Sequence, residues 1–232
     1  MQNVRKYING FLYLIYPQNC VVCNDETNES EPHFCFNCLS NLSWTNYELS
    51  EEPTEIDQLF WGRIQIEKVY SMLVFKKNNA TQAILHSIKY SEDKQLAVKM
   101  GSMLGNKILN TKYLKEVEAI VPIPIHNKKE FKRGYNQSML ICEGITQSTN
   151  LPIIELISRN RNHESQTKKD RFERWENVEK IFSINRKVNA PSHIALVDDV
   201  LTTGSTLEAA AKTIKEQFPN IKISIYTIAV AQ

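Results

Sequence analysis

Between Ile194 and Thr206 the chain reads IALVDDVLTTGST. Four apolar residues lead into two adjacent carboxylates, Asp198 and Asp199, which stand at the end of what reads as a strand. A turn of small hydroxyl residues and one glycine follows: Thr202, Thr203, Gly204, Ser205 and Thr206. LEAAAKTIKEQF comes next, with helical composition. Strand, acidic pair, hydroxyl-and-glycine loop and helix, in that order, make a site for a sugar phosphate. The loop turns backbone N–H groups and hydroxyls onto a phosphate, and the helix start adds its dipole. Gly204 lets the backbone approach without a Cβ in the way. The carboxylates can accept hydrogen bonds from neighbouring sugar hydroxyls or sit near a divalent cation. The plainer reading is a buried strand and a capped helix, with the acids at a surface turn.

Four of the five cysteines form a second constellation. Cys20 with Cys23, and Cys35 with Cys38, make two CxxC pairs within nineteen residues. Two such pairs can close a tetrahedral thiolate cage around zinc, which would fold a segment too short to bury its own core. Redox-active CxxC is the competing reading and calls for a βαβ framework that this segment lacks. Four thiolates leave no open position, so no catalysis is expected at the metal. His33 could substitute as a ligand or be a solvated loop histidine. Cys142 stands alone on a helical pattern and reads as a packed thiol.

Basic residues gather in two further stretches. Val121–Gln137 (VPIPIHNKKEFKRGYNQ) carries Lys128, Lys129, Lys132 and Arg133 before Gly134. Arg159–Val178 carries Arg159, Arg161, Lys168, Lys169, Arg171 and Arg174, and reads as a mobile loop or exposed helical arm. Phe131, Tyr135, Phe172 and Trp175 are interleaved with them, the combination used by single-strand grooves. The same aromatics also suit local packing, and the same cations a solvated surface.

The thirteen-residue pattern resembles the phosphoribosyl pyrophosphate (PRPP) signature of type I phosphoribosyltransferases. That resemblance implies that Asp198 and Asp199 face the ribose hydroxyls, and that Val200, Thr202, Thr203, Gly204, Ser205 and Thr206 bind the ligand around its 5-phosphate. A wider resemblance joins the paired CxxC to PIP, RGYNQ, R…Q…R..NV and VDDVLTTGST, and looks like the ComF family. Its members include competence proteins tied to DNA uptake in transformable bacteria. IKY at Ile88–Tyr90 also fits the family, whereas SED at Ser91–Asp93 stands where the family usually has glycine, so the local turn is expected to differ. The resemblance implies that Lys128, Lys132 and Arg133 lie on a pyrophosphate loop. It also implies that Arg159, Gln166 and Arg174 belong to a hood that closes over the ligand, with Asp198, Asp199, Lys132 and Arg133 carrying any catalysis. Mg²⁺ would accompany PRPP and offset the charge that grows as pyrophosphate leaves. Two classes of function follow. One is an enzyme transferring phosphoribosyl to an acceptor that nothing in the sequence identifies. The other is a binding protein that senses PRPP or holds single-stranded DNA near a translocating helicase.

The elements that must position these residues alternate. Val69–Phe75, Glu118–Pro122, Leu151–Ile157, Lys180–Ile184, the signature strand and Ile221–Val230 read as strands. Thr81–Ile88, Leu96–Leu109, Gln137–Thr149 and the helix after the signature read as helices. This pattern predicts an α/β fold of the type I phosphoribosyltransferase kind, with a mostly parallel central sheet flanked by helices, plus a small N-terminal four-cysteine zinc module. Ligands on such sheets sit outside the carboxyl ends of the strands. The acidic stretch Glu48–Asp57 suits a linker or exposed arm, so the expected domains are 1–57 and 58–232. Val4, Tyr7, Ile8, Phe11, Leu12 and Ile15 recur at helical spacing before Pro17. That helix could lie on a membrane surface, although packing on the body suits its few basic residues better. With 232 residues, 42% hydrophobic composition and a net charge of +2, the chain is ordinary for a folded protein and does not announce nucleic-acid binding by charge. No apolar run reaches bilayer length and no signal-peptide pattern opens the chain, so it reads as cytosolic.

Overall fold

The computed structural model describes residues 18–91, 93–159 and 181–231. The N-terminal helical pattern lies outside these residues. So does most of the expected hood, including Arg161, Gln166, Phe172, Arg174 and Trp175.

Four parallel strands form the centre: β1 (Lys68–Phe75), β2 (Ala119–Pro122), β5 (His193–Leu201) and β6 (Lys222–Ala231), in the spatial order β1-β6-β5-β2. The inner strands β5 and β6 are buried along almost their whole length, as expected of a parallel sheet covered on both faces. Between the strands run α3 (Ala80–Tyr90), α4 (Lys94–Ile108), α6 (Gln137–Thr149) and α7 (Ser205–Gln217). Helices α4 and α6 approach closely because glycine faces backbone on each. A Cβ on Gly101 would stand 2.1 Å from the Ile141 carbonyl oxygen, and one on Gly144 2.0 Å from that of Val98.

Both sheet edges are covered, which removes exposed pairing surfaces. Beside β1, the Val74 N–H donates to the Ser43 carbonyl at 2.7 Å and the Thr45 N–H to that of Met72 at 3.1 Å. Beside β2, Ile153 bridges Ile120 in parallel. Here the expected strand Leu151–Ile157 is shorter than its composition suggests. Pro152 has no N–H to give, and the chain turns away after Ile154 to form β3 (Ile157–Arg159), antiparallel to β4 (Phe182–Ile184).

Three other expectations need correction. The acidic stretch is no free arm. Ile56 and Phe60 are buried, and the Asp57 carboxylate accepts from the backbone of Thr54 and of Val69 at 2.7 and 2.9 Å, capping α2 (Glu55–Gln58) and tying it to β1. Glu48 accepts from Lys107 at 2.7 Å and from the Tyr70 hydroxyl at 3.1 Å. The basic stretch after β2 is not a loop throughout. Asn127–Arg133 forms a short helix, α5, ended by Gly134 at φ 74°, a left-handed stop that glycine adopts freely. Finally, the acidic pair does not end its strand, since β5 continues three residues beyond Asp198, to Leu201.

Candidate functional site

Because successive strand residues face opposite sides of a sheet, Asp198 and Asp199 meet different helices. Asp198 turns toward the start of α6. Its Oδ1 accepts from the Ser138 hydroxyl at 3.0 Å and from the Asp199 N–H at 2.9 Å, which leaves Oδ2 for another donor. Asp199 is buried and reaches the last turn of α3, where Lys89 Nζ stands 2.8 Å from its Oδ2. Burial first, and then the neighbouring Asp199 charge, push the Asp198 carboxyl up to about 7.

Beyond the acids, the loop Thr202–Ser205 turns into α7. Gly204 is the residue before the helix, at φ 75°, and a Cβ there would also press on the Phe60 ring at 3.0 Å. Thr202, Thr203, Ser205 and Thr206 are exposed, and the Thr203 and Ser205 hydroxyls pair at 2.9 Å. The first N–H groups of a helix have no intrahelical acceptor, so they open onto this bend. A pocket of about 40 Å³ lies there, lined by Asp198 and Val200–Leu207. That is room for about three waters, and one tetrahedral oxyanion fits in it. Arg63 braces the bend from behind. It donates to the Thr203 carbonyl at 3.1 Å and to that of Leu59 at 2.9 Å, and pairs with Glu208 on α7.

The remaining expected residues are partly gathered. Arg133 donates to the Gln137 side chain at 2.8 Å and lies over the Tyr90 ring at 5.4 Å. The Tyr135 hydroxyl donates to the Ile88 carbonyl at 2.6 Å. These contacts join α5 and its following turn to the end of α3 that carries Lys89. Lys128 and Lys132 are exposed on α5, and Arg159 ends β3, its guanidinium over Phe182 at 5.7 Å. Of the interleaved aromatics, Phe131 is 93% exposed whereas Tyr135 is buried. Three side chains at the site escaped the reading of residue types: Lys89, Ser138 and Arg63. Lys89 stood within IKY, but nothing local marks its partner 110 positions later.

The four cysteines converge. Their sulfur atoms all lie within 4.8 Å of one another, with Cys23 and Cys35 at 3.6 Å. Zn–S bonds of about 2.3 Å in a tetrahedron set the sulfurs about 3.8 Å apart, so the set fits that ion. Each pair sits on a tight turn. The Asn24 N–H donates to the Cys20 carbonyl at 2.9 Å, with Asn24 at φ 65°, and the Cys38 N–H to Cys35 Sγ at 3.4 Å, opening α1 (Phe36–Ser40). His33 is neither a ligand nor a solvated loop residue. Its Nδ1 lies 3.4 Å from Asp93, which caps α4 through the Leu96 N–H at 2.9 Å. Asp93 is the last residue of the SED turn, so the departure from glycine supplies a cap and a tether.

No protein-family model matches the chain. Among curated proteins it is 35% identical over 109 residues to competence protein ComFC of Bacillus subtilis, covering 47% of this chain and 43% of that one. It is 32% identical over 109 residues to competence protein F of Haemophilus influenzae, covering 46% and 48%. Over these residues the chain is similar to both competence proteins. A further relative is DNA utilization protein YhgH of Escherichia coli, at 28% identity over 133 residues, 56% of this chain and 58% of that one. The chain spans about half the length of the curated relatives it matches. Among solved structures, the glutamine PRPP amidotransferase of B. subtilis overlaps with a TM-score of 0.42 at 14% identity, over 62% of this chain and 30% of that one. An adenine phosphoribosyltransferase does so at 0.35 and 14%, over 64% and 74%. Among the described residues no helix is long and apolar enough to cross a membrane.

Proposed function

We propose that the pocket at the end of β5 binds PRPP with Mg²⁺. The observation that supports this most strongly is the pocket itself: one ionisable acid and a hydroxyl-lined helix start share a space the size of one oxyanion. In this reading the 5-phosphate takes the N–H groups and hydroxyls of Thr202–Thr206. Asp198, through its uncommitted oxygen, and Asp199 take the ribose hydroxyls. Lys128, Lys132 and Arg133 on α5, with Arg159, face the pyrophosphate. Mg²⁺ would be held by ligand oxygens beside the two acids and would supply charge compensation for the leaving pyrophosphate. If the protein turns over, it transfers phosphoribosyl to an acceptor and releases pyrophosphate. The four thiols hold a structural zinc ion with no position left for substrate.

Titrating Mg-PRPP into the isotopically labelled protein tests the site. The expected amide shifts centre on Thr202–Leu207 and Asp198–Asp199, and shifts confined to other segments would reject it. Pyrophosphate release that depends on an added base or amine would establish an enzyme.

One observation favours a second role: Phe131 projects, 93% exposed, from a helix bearing Lys128, Lys129, Lys132 and Arg133. Such a surface suits single-stranded DNA, in keeping with a role in DNA uptake beside a helicase. Binding would then weaken steeply with salt and drop on Phe131→Ala, whereas unchanged binding by that variant would remove the helix from the account.

A further inference from the structure

We infer that Lys89 is a positioning residue of this pocket: its ammonium fixes the Asp199 carboxylate and offsets its charge, so that one strand can present two acids to one anionic ligand. The inference rests on reading the pocket as a PRPP site. It takes that reading further, because nothing in the signature itself calls for a cation on α3.

The geometry is specific. Lys89 lies in the last turn of α3, where an ammonium would already be well placed against the dipole and in water. Instead it spans to β5 and meets Asp199 at 2.8 Å, with only 22% of the lysine side chain and 5% of the aspartate exposed. The residues on either side of it are held from a second element. Tyr135 donates to the Ile88 carbonyl at 2.6 Å, and Arg133 lies over the Tyr90 ring, which also meets His86 at 4.9 Å. A buried ion pair is a poor way to add stability, since an apolar pair of like volume often does as well. Its use here follows from charge. Two bare carboxylates beside a phosphate-binding bend would repel the ligand that the bend attracts. Lys89 cancels one of them. The groups facing the acids are Lys89 from α3 and the Ser138 hydroxyl and Cys142 thiol from α6. Thr227 is the β6 register partner of Asp198. Burial first, and then the Glu143 and Asp198 charges, hold the Cys142 thiol well above its ordinary range, so it stays neutral. Lys89 is therefore the cation among them. Without it Asp199 would bear on Asp198 unopposed, and Asp198 would hold its proton to higher pH.

The test uses the full chain with Lys89→Met and Lys89→Arg. Mg-PRPP affinity is measured by calorimetry from pH 6 to 8.5, and the Asp198 carboxyl is followed by carbon NMR without ligand. Lys89→Met is expected to weaken binding at pH 7 about tenfold and to move both midpoints up by about one pH unit. Lys89→Arg is expected to restore most of both. A merely structural lysine would lower the unfolding temperature and leave the midpoints where they are. If Lys89→Met does not fold, Lys89→Gln keeps a donor to Asp199 without the charge and is expected to show the same shift. Parent-like affinity and midpoints in the uncharged variant would overturn the role of Lys89 while the pocket reading stands. Failure of the parent itself to bind Mg-PRPP would overturn both.

Discussion

The four-cysteine cluster and the strand-end pocket both hold several polar groups close together, and they do so from opposite directions. The cluster draws all four sulfurs from Cys20–Cys38, through two tight turns that each satisfy their own backbone. The pocket, lined by Asp198 and Val200–Leu207, is supported by Ser138 on Asp198, Lys89 on Asp199 and Arg63 behind the bend, three distant segments that only the sheet and its helices bring together. The cluster should thus stand or fall with its ion, whereas the pocket should stand or fall with helix packing and the charge balance of its acids.

The largest effect that separates the two is expected on removing the metal. Cys20→Ser with Cys38→Ser, or treatment with a strong chelator, should abolish stoichiometric zinc and strip exchange protection from residues 18–40. Zinc contributes about 10 kcal/mol or more to folding in small modules of this kind. Amides of β5 and β6 should remain protected in the same hydrogen-exchange experiment. Loss of protection in all these strands together would erase the distinction.

The converse break is Gly144→Ala. Its new methyl would meet the Val98 carbonyl on α4, at a cost of about 1–3 kcal/mol. Helix α6 also carries Ser138, so Mg-PRPP affinity should drop while zinc content stays at one ion per chain. Equal affinity in this variant and the parent would show that α6 does not set the pocket.

The acids also make the pocket pH-sensitive. Asp198 is held protonated up to about 7, above the ordinary carboxylate range. The folded protein therefore binds a proton that the unfolded chain has lost. The stability this group contributes is complete below the unfolded value of about 4 and is lost as pH rises through 7. Ligand binding runs the other way, because ribose hydroxyls and a cation favour the carboxylate. Mg-PRPP should bind more tightly at pH 8 than at pH 6, and at pH 6 should release close to one proton per site, read as the buffer dependence of the binding heat. A proton uptake would contradict the assignment.

At the cluster the sign is reversed. Burial works to raise the Asp93 carboxyl, but bonds from His33 and from the Leu96 N–H outweigh it and hold it below its ordinary range. That stability is present at neutral pH and lost on acidification. The smallest effect belongs to the module's outer tether, Lys99 to Glu31 at 2.6 Å. This pair is partly exposed, so Glu31→Gln should cost less than about 1 kcal/mol in a denaturation midpoint.

Much of the sheet was legible in the chain because its strands are continuous apolar runs and its helices carry regular stripes. β1, β5, β6, α4 and α6 lie within a residue or two of where periodicity puts them. Helix α5 was not, since NKKEFKR has no apolar face to give it a period and only Gly134 hinted at a stop. The acidic stretch misled because charge there is consumed by partners far along the chain, Lys107 and the Val69 backbone. At the site, the signature named Asp198 and the bend but could not name Lys89, Ser138 or Arg63. Each of these acts through a contact 60 to 140 residues away, and no local spacing encodes such a pair.

The central claim is that the bend and its acids together hold a phosphorylated ribose. Calorimetric titration of Mg-PRPP into the parent and into Asp198→Asn with Asp199→Asn tests it most directly. The expected result is saturable one-site binding by the parent and none by the folded double variant. Equal binding by both would place the ligand elsewhere and contradict the account.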